Sequence, residues 1–288
     1  MDTRILGTTE ADIKLAAEII RNGGLVAFPT ETVYGLGADA LNAEAVGKVY
    51  AAKGRPSDNP MIVHISHRED KKKLTDGITP DVETLMDAFW PGPLTMVVPA
   101  KEIIPKVTTG GLATVGVRMP EDPTARALIT KAGVPIAAPR AYLAGKPRPT
   151  RYRHVAEDLD GRIDAIIAGG DCKAGIESTV VDMTGEIPAI LRPGVITQAM
   201  LRQALGKEVT VDPALLQKPD IFNNGGDGLL QTGRDFHPKA PGMKYKHYAP
   251  KAEMIIFSGE RKKVKLAMAE EKMKRAEQGQ KVEIIVYD

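Results

Sequence analysis

Apolar residues recur at Ile13, Ala16, Ala17 and Ile20 behind Thr9, with Asp12 placed to close a capping box and Gly23 as a stop. That spacing predicts a helix. The period then changes, and the apolar run Leu25–Phe28 ends at Pro29, as a short buried strand does. The two signals alternate as far as Gly206. Short apolar runs predict strands at Met61–Ile65, Leu94–Val98, Thr114–Arg118, Pro135–Ala138, Ala165–Ile167, Thr179–Asp182 and Ala189–Arg192. Helical spacing predicts Ala43–Ala52, Asp81–Phe89, Pro123–Ala132 and Thr197–Leu205, the third capped by Asp122 with Pro123 in its first position. This mixture predicts an α/β domain over 1–206, although the pattern does not reveal the strand order.

Residues 207–250 break the rhythm. The stretch "NNGGDGLLQTG" is rich in turn residues and lacks a sustained apolar period, so it reads as a loop. Connections longer than about 12–15 residues without elements are usually functional or disordered. This one closes on "APGMKYKHYAP", whose aromatic and basic residues suit a docking surface. Over 251–288 the pattern predicts strand Met254–Phe257, a helix from about Glu260 to Gln278 and strand Val282–Tyr287. Such a βαβ unit is too small to bury a good core alone, so it either packs on the first domain or belongs to a longer one.

Composition adds limits. Of 288 residues, 43% are hydrophobic and 26% charged, and the formal net charge of +2 selects no partner. Any basic surface must arise from local clustering. The single cysteine, Cys172, excludes an intramolecular disulfide and fits a reducing cytoplasm. No apolar run approaches the ~20 residues of a membrane span, and the N-terminus lacks a secretory pattern. The expectation is a cytoplasmic protein.

The chemistry-bearing motifs that are easiest to recognise are missing. There is no phosphate-binding G-x-x-x-x-G-K-[ST] loop, no H-E-x-x-H, no paired C-x-x-C and no G-x-S-x-G. Catalysis is therefore expected from positioning and charge stabilisation, without a protein nucleophile. Polar groups crowd instead at predicted strand ends. "PTETVYGLG" (29–37) follows the first strand, and "KGRPSDNPMIVH" carries Lys53, Arg55, Asn59 and His64. "TTGGLATVGVRMP" carries Thr114 and Arg118, "GIESTVVD" carries Glu177, Ser178 and Thr179, and "ILRPG" carries Arg192. A lone loop cation is usually solvated and a lone histidine usually a satisfied core residue. Five such segments in one domain argue for a shared site that takes a phosphorylated ligand and a small polar acid.

The combination P-T-E-T-V-Y-G-L-G, K-G-R-P-x-x-N-P, T-V-G-V-R-M-P, G-I-E-S-T-V-V-D and L-R-P-G, in this order, resembles the YrdC family of threonylcarbamoyl-AMP synthases. The linker "PGMKYKHYAP" before an α/β unit is similar to the two-domain branch. The resemblance implies a YrdC-like twisted mixed sheet with flanking helices over 1–206, a linker or lid over 207–250 and a partial Rossmann-like C-terminal unit. It implies synthesis of threonylcarbamoyl-AMP and pyrophosphate from L-threonine, bicarbonate and ATP, with Mg²⁺ accompanying ATP. The product would pass to a downstream tRNA-modifying transferase. By motif match, Thr32, His64, Arg118, Ala138 (through its backbone) and Ser178 would hold threonine. Arg55, Asn59, Thr114 and Arg192 would face ATP, Lys53 and Arg55 would offset charge on the phosphates, and Tyr248 would enter as part of a lid.

One loop departs from the pattern. Where the family reads close to A-P-S-A-N-x-S-G-x-P-S-P-T, this chain has "APRAYLAGKPRPT", with Arg140, Tyr142, Ala144 and Arg148 on the nucleotide side. Long cations in a pocket shaped for serine are expected to weaken ATP use; the competing expectation is that Arg140 and Arg148 pair with the phosphates. A third reading takes Arg140, Lys146, Arg148, Arg151, Arg153 and His154, interleaved with Tyr142 and Tyr152, as an RNA-contacting surface of a module without synthase turnover.

Overall fold

The computed structural model describes residues 2–54, 59–143, 148–216 and 255–285. It opens with a strand that the apolar pattern does not announce, β1 (Arg4–Leu6), followed by α1 (Glu10–Arg21). Thr9 caps α1: its hydroxyl accepts the Asp12 N–H at 3.2 Å and donates to the Asp12 carboxylate at 2.6 Å. Next come β2 (Val26–Phe28), β3 (Gly35–Asp39), α2 (Ala43–Lys53) and β4 (Ile62–His64). Then follow α3 (Lys71–Leu74), α4 (Pro80–Phe89), β5 (Leu94–Pro99), α5 (Lys106–Thr109), β6 (Thr114–Arg118), α6 (Pro123–Ala132) and β7 (Ile136–Ala137). The unit ends with α7 (Tyr152–Leu159), β8 (Ala165–Ile167), β9 (Thr179–Asp182), β10 (Ala189–Arg192), α8 (Gln198–Leu205), β11 (Thr210–Val211) and α9 (Pro213–Leu216).

These strands form one mixed sheet in the order β1-β8-β2-β3-β7-β4-β6-β5-β9-β10-β11. The β4/β6 and β5/β9 pairs are parallel, while β2/β3, β3/β7 and β4/β7 are antiparallel. Apolar side chains leave both faces. Ile13 and Ile20 of α1 and Leu128 and Ile129 of α6 pack with Val26, Phe28 and Ile136. Val46 and Val49 of α2 and Leu85 and Met86 of α4 belong to the core that holds Leu36, Val63 and Val117. Burial on both faces explains why the strands read as continuous apolar runs rather than alternating ones.

β3 shows why its own strand character was hidden. Its glycines are close-approach positions. A Cβ at Gly37 would lie 2.8 Å from both Phe28 Cε1 and Ile136 Cγ2, and one at Gly35 would lie 3.2 Å from the Ala138 Cβ. The bare backbone lets β3 lie between β2 and β7 over the Phe28 ring. α7 was hidden for another reason: it begins inside the basic run, yet buries Val155 and Leu159.

The chain divides into two compact units, Met1–Ala249 and Pro250–Asp288. In the second, α10 (Arg261–Glu277) falls where a helix is expected. The flanking strands are a correction: residues 255–258 and 281–285 carry no strand assignment. Two short apolar runs become strands only by pairing in a ladder, and no side chain of α10 is buried to hold them together. Met254, Tyr287 and the linker from 217 onward lie outside the described residues.

Candidate functional site

His64 ends β4 and Arg118 ends β6, and the parallel register sets one directly opposite the other. Adjacent strands lie about 4.8 Å apart, so this pairing follows from the fold before any side chain is placed. Ala138 follows β7, and its N–H already donates to Ile62 O at 2.9 Å, so its offer to a ligand falls to the carbonyl oxygen. Ser178 precedes β9 and Arg192 ends β10. With Thr32 from the loop after β2, these residues line one cleft of about 500 Å³ that is partly open to solvent.

At one end of the cleft the charges cancel. Arg118 is 4% exposed. Its Nη2 donates to Glu31 Oε1 at 2.5 Å, and its Nε donates to Gly92 O at 3.3 Å. Glu31 Oε2 accepts the Glu121 N–H at 3.2 Å, which fixes the carboxylate from the other side. Nε and one N–H of Nη2 are thus committed, which leaves the Nη1 donors of this cleft-lining residue, and the second N–H of Nη2, for a ligand carboxylate. His64 is 3% exposed and its Nδ1 has no hydrogen-bond partner within the protein. Burial, and then the adjacent Arg118 charge, push its pKa down to about 3, so the imidazole is neutral. A buried nitrogen with an unmet hydrogen bond beside a cleft marks a ligand position.

The hydroxyls at this end are oriented by their neighbours. Thr30 donates to Val33 O at 2.6 Å, so the 2.9 Å Thr30–Thr32 contact has Thr32 as donor. Thr32 Oγ1 therefore keeps its lone pairs for an incoming cation. Ser178 Oγ lies 2.9 Å from Thr95 Oγ1 and accepts from Arg192 Nη2 at 3.0 Å. Gly194 permits that contact: a Cβ there would lie 2.4 Å from Glu177 O and 2.6 Å from Ser178 C, where only backbone stands.

The other end is cationic and held by a clasp. Glu177, 6% exposed, is gripped by Arg140 Nη1 on Oε1 and by Arg148 Nη2 on Oε2, the latter at 2.9 Å. Arg140 also lies over the Tyr142 ring at 5.3 Å, with Lys53 Nζ 4.6 Å from the same ring. The Lys53 ammonium donates to the carbonyls of Arg140 and Tyr142, the second at 2.6 Å. It clamps the loop instead of lining the cleft. Burial, and then the Arg140 charge, push Arg192 down to about 9, which leaves it protonated at neutral pH.

The structure thus brings together Thr32, His64, Arg118, Ala138, Arg140, Ser178 and Arg192. Arg148 reaches the same cluster through Glu177. Asn59 is buried and outside the lining, its backbone carbonyl accepting the Tyr50 hydroxyl at 2.8 Å. Thr114 opens β6 opposite Pro99, four residues or roughly 13 Å of strand from Arg118, and is likewise outside it. Arg55, Tyr248, Ala144 and Lys146 lie outside the described residues. Sequence reasoning missed Glu31 and Glu177 as counter-charges; a carboxylate between two threonines at the end of an apolar run was the available signal. The proposed RNA surface is thinned: Arg140 and Arg148 are turned to Glu177, and Arg151 pairs with Asp171 at 3.0 Å.

A mixed α/β sheet whose strand ends gather a buried guanidinium, a neutral imidazole and oriented hydroxyls beside a cationic wall defines a class of protein with the chemistry to hold a small polar acid next to a polyanion. The chain belongs to the Sua5/YciO/YrdC family, whose model, described as "Telomere recombination", matches residues 18–194. The model of the threonylcarbamoyl-AMP synthase C-terminal domain matches residues 196–288. The chain is 48% identical over 276 residues to the threonylcarbamoyl-AMP synthase of Pyrococcus abyssi, covering 96% of this chain and 76% of that one. It is 47% identical over 256 residues to the threonylcarbamoyl-AMP synthase of Bacillus subtilis, covering 88% and 69%. The crystal structure of P. abyssi Sua5 complexed with L-threonine superposes with a TM-score of 0.86 at 45% identity, covering 99% of this chain and 82% of that one.

Proposed function

We infer that this chain is a threonylcarbamoyl-AMP synthase, which joins L-threonine, bicarbonate and ATP to give threonylcarbamoyl-AMP and pyrophosphate for tRNA modification. The observation that carries the reading is the division of one cleft into a charge-balanced end and a cationic end, in a chain with relatives of that activity. A zwitterionic amino acid suits the first end and a triphosphate the second.

The reading gives each residue a role. Arg118 Nη1 holds the threonine carboxylate through a charge-assisted hydrogen bond. Thr32 Oγ1 and the Ala138 carbonyl accept from its ammonium, and the neutral His64 and the Ser178 hydroxyl receive its side chain. Bicarbonate gives carbon dioxide and hydroxide, the hydroxide takes an ammonium proton and leaves as water, and the freed amine nitrogen bonds to the carbon and loses a second proton to solvent, giving a carbamate. A carbamate oxygen then attacks the α-phosphorus of ATP and pyrophosphate leaves. On this reading Arg192, and Arg140 once the triphosphate displaces it from Glu177, offset charge that grows on the phosphate oxygens.

Mg²⁺ enters this account only as part of the Mg–ATP substrate. Among the described residues no cluster of three metal-binding side chains occurs. Glu177 is held by two arginines and Glu31 by Arg118 and the Glu121 N–H. Neither carboxylate is disposed for a resident ion. No helix among the described residues is long and apolar enough to cross a membrane, and a cytoplasmic setting belongs to the same reading.

The test is pyrophosphate release from ATP with threonine and bicarbonate each omitted in turn, with mass detection of the adduct. Release that requires both supports the synthase. Salt-dependent RNA binding without such release would favour the binding module instead.

A further inference from the structure

Glu31 has no ligand role in the reading above, and it does not line the cleft. It is nevertheless 6% exposed and its carboxylate touches a cleft residue at 2.5 Å. Its two oxygens face different partners, Arg118 Nη2 and the backbone N–H of Glu121, so the group is fixed from both sides. Glu31 O also accepts the Ala174 N–H at 2.8 Å, anchoring the residue's backbone. Other charged groups are near. Asp122 caps α6 by accepting the Thr124 and Ala125 N–H groups, and Lys173 faces it. Among the described charged residues only Glu31 is bonded to the Arg118 guanidinium.

We propose that Glu31 sets the charge preference of the amino-acid end of the cleft. By neutralising Arg118 it makes that end select a zwitterion over a plain carboxylate anion. An isolated buried guanidinium would attract any anion, including bicarbonate and pyrophosphate, which the same reaction brings to or leaves in the cleft. With Glu31 in place, a bound carboxylate gains Arg118 Nη1 and also feels a second carboxylate behind it. The ligand's own ammonium, held by Thr32 Oγ1 and the Ala138 carbonyl, is what restores the balance. Two unit charges on opposite sides of one guanidinium, at an effective dielectric of about 20, interact strongly enough to change affinity by tenfold or more. Glu31 thus acts through Arg118 as a positioning and selectivity residue. This rests on the reading of the cleft as a threonine site.

The test is calorimetric titration of the full chain with L-threonine and with (R)-3-hydroxybutyrate, which is threonine without its amine. In the unmodified protein, 3-hydroxybutyrate should bind at least 100-fold more weakly. In Glu31→Gln, which keeps an acceptor for Arg118 but removes the charge, the preference for threonine should shrink at least tenfold. Glu31→Asp keeps the charge and should keep the preference while weakening both ligands. A purely structural role would loosen Arg118 and weaken both ligands equally in Glu31→Gln; an unchanged ratio in that variant overturns the proposal. Should Glu31→Gln not fold, the unmodified protein still decides, because comparable affinity for the two ligands there overturns the proposal by itself. A protein that binds neither ligand removes the threonine reading, and this inference with it.

Discussion

The two ends of the cleft handle buried charge in different ways. At the amino-acid end one arginine meets one carboxylate behind the wall, and the neighbouring histidine is kept neutral. At the cationic end two arginines share Glu177, which itself lines the cleft, and Arg192 adds a third cation. A carboxylate behind the wall tunes a cation without competing for its ligand-facing nitrogen. One in the wall competes directly with the ligand. Under the synthase reading the first arrangement suits a small zwitterion that enters unaided, and the second would make a polyanion displace an internal rival.

The largest expected effect comes from removing the centre of the balanced end. Arg118→Ala deletes the carboxylate contact and leaves Glu31 buried without its cation. Threonine binding should weaken by about 2–5 kcal/mol, and orphaning Glu31 should lower folding stability by about 3–5 kcal/mol. Calorimetry and denaturant unfolding read the two separately. Unchanged threonine affinity in a folded variant would remove Arg118 from the site and collapse the comparison.

Next is the pH dependence of the same end. His64 is held neutral down to about pH 3, whereas an unfolded histidine takes a proton near 6.5. The unfolded state therefore binds more protons between those values, and stability falls as pH drops through that window. The loss from this group approaches about 1.4 kcal/mol for each pH unit below 6.5. His64→Gln should flatten the acid limb of a stability curve measured from pH 7 to 5. An identical slope in both proteins would mean that His64 charges in place, and the end would not be neutral.

Much of this was legible in the chain before the fold was known. Thr114–Arg118, Thr179–Asp182 and Ala189–Arg192 match their strands residue for residue, because each is a short apolar run ended by a charge. Arg118 and His64 were recognisable as strand-end residues. Their adjacency was not, since it depends on β4 lying beside β6 in parallel, and strand order leaves no local mark on sequence. β3 escaped because its glycines signal turns when read alone, and only the Phe28 ring beneath explains them. Glu31 and Glu177 escaped for a related reason: a counter-charge is defined by its partner, and both partners lie far away in sequence. Lys53 shows the converse, a cation legible as a phosphate ligand whose ammonium is spent on loop carbonyls.

The smallest effect concerns the loop that sets the nucleotide end apart. Arg140, 12% exposed at its side chain, is folded onto Glu177 and Tyr142, so its bulk and its charge can be separated by experiment. Restoring Arg140→Ser, Tyr142→Asn, Ala144→Ser and Arg148→Ser removes the bulk and also takes both arginines from Glu177. If volume limits ATP use, this variant should release threonine-dependent pyrophosphate at least ~10-fold faster, equivalent to about 1.4 kcal/mol of barrier. Glu177→Gln leaves the volume almost unchanged and weakens only the internal rival. If the arginines are ligands waiting to be released, that single change should lower the KM for ATP several-fold, most clearly at low salt, where such charge effects are least screened. A faster quadruple variant with an unaffected Glu177→Gln would assign the limit to size. The opposite pair of results would assign it to the clasp, and the arginines would then be phosphate ligands in place of the family's hydroxyls. No change in either variant would show that the loop is accommodated as it stands, and the contrast between the two ends would no longer bear on turnover.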